Sequence, residues 1–195
     1  MTEGDSATDE LLIARIAAGD QRAFRALFTS YGERVFRYAY RVVSDNAKAE
    51  EVTNDVMLEV WKHAARFEGR SKVSTWILGI ARHVALNAVR NKQLDTVDLD
   101  AAPPVADEQP RDTAEQAHDR KLLKQGVREV LARLSPEHRD VVELTFFHGR
   151  SYDEIAKIVG CPENTVKTRM FHARRQIREM LTRRGLDPTM LEIAS

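Results

Sequence analysis

Cysteine is almost absent: Cys161 is the only one in 195 residues. A lone thiol excludes an internal disulfide and any zinc site built on paired CxxC ligands. The six histidines show no HExxH-type spacing, so a metal enzyme has little support. Long apolar runs are also missing. No stretch approaches the roughly 18 apolar residues of a membrane span. The opening MTEGDSATDE is acidic and polar, unlike a secretory signal. A cytoplasmic protein is the expectation. No segment alternates apolar and polar residues over a strand's length, which leaves helices. What remains is a chain of 43% hydrophobic residues, close to the globular average and enough to bury a core.

Net charge is missing too, but only in the sum: 30 basic residues face 30 acidic ones. Residues 1–10 carry four acids and no base. Residues 11–94 carry fourteen bases against eight acids, residues 95–119 one base against eight acids, and residues 120–195 fifteen bases against ten acids. Two basic blocks thus flank an acidic one, and that asymmetry points to polyanionic partners. The acidic block, DTVDLDAAPPVADEQPRDTAEQAHD, has three prolines and no sustained period, which is linker composition. Fully stretched, about 25 residues span roughly 80 Å. The expected organisation is an all-α chain of two small helical domains joined by a flexible acidic linker. Its parts are a disordered start over 1–9, a domain over 10–93, the linker over 94–119, a second domain over 120–184 and a tail over 185–195.

In the first block, Phe24, Leu27, Phe28, Tyr31, Val35, Tyr38 and Val42 recur at helical spacing after Asp20, a good N-cap. A second stripe runs Ala49, Val52, Val56, Val60, Ala64, Phe67. A third runs Ile77, Ile80, Ala81, Val84, Ala88, with Ser74 as its expected cap. Such stripes are mostly core. In the last block, Ser135-Pro136-Glu137 opens a helix that stops at Gly149. Ser151 to Glu154 has capping-box spacing and opens a short helix ending at Gly160, after which Pro162 opens another.

Those two last helices have helix-turn-helix spacing. Ala156 is small where helices cross, Gly160 suits the turn, and Val166 can plug back into the core. The second helix of such a unit enters the DNA major groove. Val166, Met170, Ala173, Ile177 and Leu181 form its inward stripe. Asn164, Thr165, Lys167, Thr168, Phe171 and His172, near its start, are candidates for base edges. Arg169 belongs to the same basic face, and Arg174 and Arg175 lie where phosphates are met. For Arg178, Arg183 and Arg184 a solvated face explains the charge equally well.

The segment AEEVTNDVMLEVWKHAARFEGRSKVSTWILGIARHVALNAVR closely resembles the promoter-melting domain of bacterial sigma factors of the sigma-70 family, extracytoplasmic-function type. LSPEHRDVVELTFFHGRSYDEIAKIVGCPENTVKTRMFHARRQI resembles their second DNA-binding domain. The resemblance covers about residues 10–93 and 120–182. It implies an alternative sigma factor that carries no catalytic residue and needs no cofactor. Such a protein binds core RNA polymerase and promoter DNA, reading −10 and −35 elements, and answers to an anti-sigma factor.

The resemblance also assigns residues. Glu51, Asn54, Asp55 and Leu58 lie off the apolar stripe, a mostly acidic face on a basic domain, and the family docks that face on the clamp coiled coil of the polymerase's largest subunit. The loop FEGRSKVSTW combines the cations Arg70 and Lys72, the small Ser71 and the aromatics Phe67 and Trp76. Cations track a phosphate backbone and aromatic walls hold unstacked bases; in the family this loop captures a base flipped from the −10 element. Trp76 reads equally well as plain core. Arg82, His83, Asn87 and Arg90 lie further along, toward the upstream edge of that element. Two rivals stand beside this reading. One is a stand-alone helix-turn-helix regulator, which would bind a palindromic operator without polymerase. The other is a nuclease built on Glu50, Glu51 and Asp55, for which no third ligand or base is present.

Overall fold

The computed structural model describes residues 3–95 and 129–183, and no strand occurs among them. By compactness the chain falls into two units. The expected linker and C-terminal tail lie outside the described residues.

In the first unit, α1 (Glu3–Ala17) begins well before residue 10, the expected start of ordered chain. The Tyr31 hydroxyl donates to Asp9 and fastens that early turn to the next helix. Ile13 and Ile16 of α1 are buried. α2 (Gln21–Val43) starts at Asp20, whose Oδ1 accepts the backbone N–H of Arg22 at 2.8 Å and of Ala23 at 3.1 Å. Two of the four orphan donors of a helix start are satisfied this way. Ser44, at φ +56°, ends α2, and its N–H returns to the Tyr40 carbonyl. Asp45 at once caps α3 (Asn46–His63), accepting from Lys48 N–H at 2.7 Å. A 3₁₀ turn, Ala64–Arg66, leads to the loop before α4 (Val73–Asp95).

The four helices pack around one core, with α2 against α1, α3 and α4. Leu27, Tyr31, Val35 and Tyr38 from α2 meet there with Val52, Val56 and Val60 from α3. Phe28 departs from its expected core place. It is 37% exposed because its ring folds outward over Gly32, where an added Cβ would come within 3.1 Å of it. On α4 the buried line is Val73, Ile77, Leu78, Ala81 and Ala85, whereas Ile80, Val84 and Ala88 are only half-buried. Ser74 is not the cap of α4. The helix starts at Val73, the Lys72 carbonyl accepts from Thr75 and Trp76, and Ser74 is buried in the first turn. With Val73 buried, the start lies two residues earlier than Ser74 as a cap implies.

In the second unit, α5 (Pro136–Phe146) has Ser135 as N-cap, with Oγ accepting from His138 N–H at 3.3 Å and proline at the first position. Arg139 ties the preceding helical residues 129–132 down by donating to the carbonyls of Leu131 and Ala132. α6 (Tyr152–Val159) opens on a reciprocal box: Ser151 N–H donates to Glu154 Oε2 at 3.0 Å, and Glu154 N–H to Ser151 Oγ at 3.3 Å. Gly160, at φ +70°, closes α6, and Cys161 N–H bonds back to the Ala156 carbonyl at 3.1 Å. That is the Schellman closure, which favours a residue without Cβ. α7 (Glu163–Arg183) follows after Pro162, whose carbonyl accepts from Thr165 and Val166. All five expected inward residues, Val166, Met170, Ala173, Ile177 and Leu181, are buried, and α7 packs on α5. Val166, Met170, Ile177 and Leu181 each contribute about 1.5–3 kcal/mol of burial as an upper estimate, and the Ala173 methyl less.

Candidate nucleic-acid and polymerase interfaces

The outer side of α7 follows from that inward stripe. With Val166, Met170, Ala173 and Ile177 turned in, helical periodicity places Asn164, Lys167, Thr168, Phe171, Arg174, Arg175 and Arg178 outward, and all are exposed. Phe171 is 66% exposed. Lys167 is not a free cation: its Nζ lies 2.8 Å from Glu163 Oε1. Arg175 Nε lies 3.8 Å from Glu179 Oε1, and Arg174 sits 5.7 Å from the centroid of Phe146 on α5. Thr168 Oγ1 donates to its own helix, to the Asn164 carbonyl at 3.0 Å.

Thr165, Arg169 and His172 are half-buried on the flank of this face. Arg169 Nη1 is 3.7 Å from Cys161 Sγ, and the His172 ring is 6.2 Å from that of His138. The Glu137 carboxyl is held below its ordinary range, first by its own backbone N–H and Ser135, and also by the charge of Arg169. Arg169 and His172 therefore lean toward the start of α5, a placement that depends on helix packing and carries no signal in the sequence. Glu163 was missed as a member of the face, although its spacing of four from Lys167 is the pattern of a helical ion pair.

On α3, Glu51, Asn54, Asp55 and Leu58 are all exposed, Leu58 by 49%. The neighbouring acids are neutralised locally. Glu51 Oε1 accepts from Lys48 at 2.8 Å. Glu59 is bridged to Lys62 at 2.8 Å and His63 at 3.1 Å, and the Lys62 hydrogen bond holds its carboxyl below the usual range. Asp55 has no ion-pair partner among the described residues, so it is the open charge of this face.

In the loop, Arg70 is highly exposed and pairs with Glu68. Lys72 is exposed and Ser71 half-buried. Phe67 and Trp76 are half-buried against each other, ring centroids 5.1 Å apart at 50°. On α4, His83, Asn87 and Arg90 form a chain: Asn87 Nδ2 is 3.0 Å from His83 Nε2, and Arg90 donates to Asn87 Oδ1 at 3.1 Å. Arg82 is half-buried beside them in sequence. Among the described residues no group of three or more His, Cys, Asp or Glu side chains is placed to hold a metal, and no helix is long and apolar enough to cross a membrane.

Residues 27–94 match the model of sigma-70 region 2, and residues 124–177 that of sigma-70 region 4. The chain belongs to the sigma-70 family. This sigma factor is 29% identical over 179 residues to the ECF RNA polymerase sigma factor SigL of Mycobacterium tuberculosis, covering 89% of this chain and 97% of that protein. It is 29% identical over 180 residues to the RNA polymerase sigma-H factor of Pseudomonas aeruginosa, covering 89% and 93%. Together these make it an extracytoplasmic-function member. Its fold is shared with CnrH, solved with the cytosolic domain of CnrY, at TM-score 0.68 and 22% identity over 90% of this chain and 97% of that one. It is shared also with RpoE of Bartonella quintana, solved with the anti-sigma factor NepR, at TM-score 0.64 and 23% identity over 82% and 96%. The protein is an alternative sigma factor directing promoter-specific transcription, and a stand-alone regulator is not favoured.

Proposed function

We propose that this sigma factor divides its work among three surfaces. The α7 face, from Asn164 to Arg175, reads and holds the −35 element. The loop around Arg70, Ser71 and Lys72, with Phe67 and Trp76, takes a base of the −10 element, while Arg82, His83, Asn87 and Arg90 meet its upstream edge. The α3 face of Glu51, Asn54, Asp55 and Leu58 docks on the basic clamp coiled coil of the polymerase. The observation that carries this reading is the register of α7: every inward residue is buried, so the lysine, threonine and phenylalanine of its first three turns are presented outward. Base contacts come from the start of such a helix.

The factor works in the cytoplasm as a binding protein, and the chemistry belongs to the polymerase. DNA opening then draws on binding energy alone. An anti-sigma factor controls it, in keeping with the partners named for CnrH and RpoE. Run-off transcription with core polymerase on a promoter library is the test. Transcripts from a defined promoter class should appear only when this protein is added. A protein that binds a palindrome tightly by itself and adds no transcript would overturn the reading.

A further inference from the structure

Glu163 is the anomaly of the α7 face. It is the first residue of the helix, its side chain is 46% exposed, and it lies 2.8 Å from Lys167 Nζ one turn on. An exposed pair at this spacing contributes little to stability. An acid in the first turn does suit the helix dipole, but Glu163 is also exposed at the edge of the outward face, in line with Lys167 one turn on. A carboxylate there approaches phosphates and base acceptors whenever DNA closes on the helix, and both repel it.

Only an amino group relieves that repulsion. The major groove offers two, adenine N6 and cytosine N4. Adenine N6 stands beside its own N7 acceptor, which a carboxylate also opposes. Cytosine N4 stands beside a C–H, and its paired guanine offers the O6 and N7 acceptors that a lysine takes. The ion pair seen in the free protein can therefore open on such DNA with both ends satisfied. On DNA offering only phosphates, Lys167 must leave Glu163 for an equivalent contact, and Glu163 is left against the backbone.

We propose that Glu163 is a specificity-determining residue of α7: it selects duplexes presenting a cytosine amino group beside the guanine taken by Lys167, and turns away those offering acceptors and phosphates alone. The selection works as much by lowering background binding as by adding a contact. The inference rests on the reading of α7 as the base-reading helix.

The test uses the full-length protein assembled with core polymerase and a duplex library randomised across the −35 element, bound across a salt series. Wild type should enrich one G·C pair, with its guanine taken by Lys167 and its cytosine amino group by Glu163. Glu163→Gln keeps an acceptor for Lys167 and removes the charge. It should weaken that G·C preference without abolishing it, bind scrambled DNA about three- to tenfold more tightly, and steepen the salt slope by about one. Glu163→Asp, which keeps the charge, should retain the low background. Lys167→Ala should lose the guanine whatever stands at 163. If Glu163→Gln keeps the wild-type sequence preference and the wild-type ratio of specific to scrambled binding while Lys167→Ala shifts both, the acid serves only the helix start and the proposal fails. If neither variant shifts them, α7 does not read bases, and the reading beneath the proposal falls with it.

Discussion

Asp20 joins two helices with one carboxylate. Oδ2 takes the Arg15 guanidinium at 2.7 and 2.9 Å, while Oδ1 caps α2. The Arg15 hydrogen bond, followed by the Ala23 N–H, holds the carboxyl below its ordinary value. A carboxyl depressed in the folded state stabilises fully above its unfolded pKa, near 4, and that contribution fades as pH falls through the folded value. Asp20→Asn keeps the capping oxygen and loses the charge. Its melting temperature should therefore lie below wild type at pH 7, and the gap should close below about pH 4. Thermal melts by circular dichroism from pH 2 to 7 check this; a gap independent of pH would deny the carboxylate its role. At the same scale, Lys167 and Arg175 should separate reading from holding. Lys167→Ala should cost roughly 1–3 kcal/mol on the preferred −35 sequence and less on scrambled DNA. Arg175→Ala should weaken both alike and lower the salt slope by about one. Holoenzyme binding to the two duplexes across a salt series distinguishes them, and identical losses would mean that α7 grips without reading.

Helix starts were legible where the cap is a local event. Asp20, Ser135 and the Ser151–Glu154 box occupy their expected places because a side chain within three residues decides them. Ser74 failed as a cap because burial of Val73, a tertiary effect, set the start of α4. The inward stripe of α7 was fully legible from its period, but the lean of Arg169 and His172 toward α5 was not, since no spacing encodes which flank another helix covers. α3 shows a related limit. Its acidic face could be read from sequence, whereas the neutralisation of Glu51 and Glu59 by Lys48, Lys62 and His63 depends on rotamers. Asp55 is left as the open charge. Glu51→Lys combined with Asp55→Lys should abolish co-purification with core polymerase while the helical dichroism stays intact. Wild-type recovery of core enzyme by that variant would remove α3 from the docking surface.

For the molecule as a whole, a formal charge of zero conceals two basic blocks and the acids between them, and this separation already marked two DNA-facing parts in the sequence. The order of the two blocks carried the family, because region 2 followed by region 4 is a far narrower pattern than one helix-turn-helix. Each compact unit has its own core, Leu27 and Val56 in one, Leu144 and Val166 in the other. Fragments 1–103 and 104–195 should then each keep a helical spectrum and melt at their own temperatures. A single cooperative transition in the full chain, lost in both fragments, would show that neither unit stands alone.

The turn at Gly160 makes α7 a lever. Its 21 residues extend about 31 Å at 1.5 Å per residue, with the pivot at the end that carries Asn164. A tilt of about 10° at Gly160 moves Asn164 by about 1 Å and the far end at Arg183 by about 6 Å, given the same rise per residue. Substitutions that strain the turn should therefore loosen the grip on distant phosphates before they change which bases are chosen. Tolerance to drift is greatest where sequence is read and least where charge is held, so promoter preference can outlast a loss of affinity.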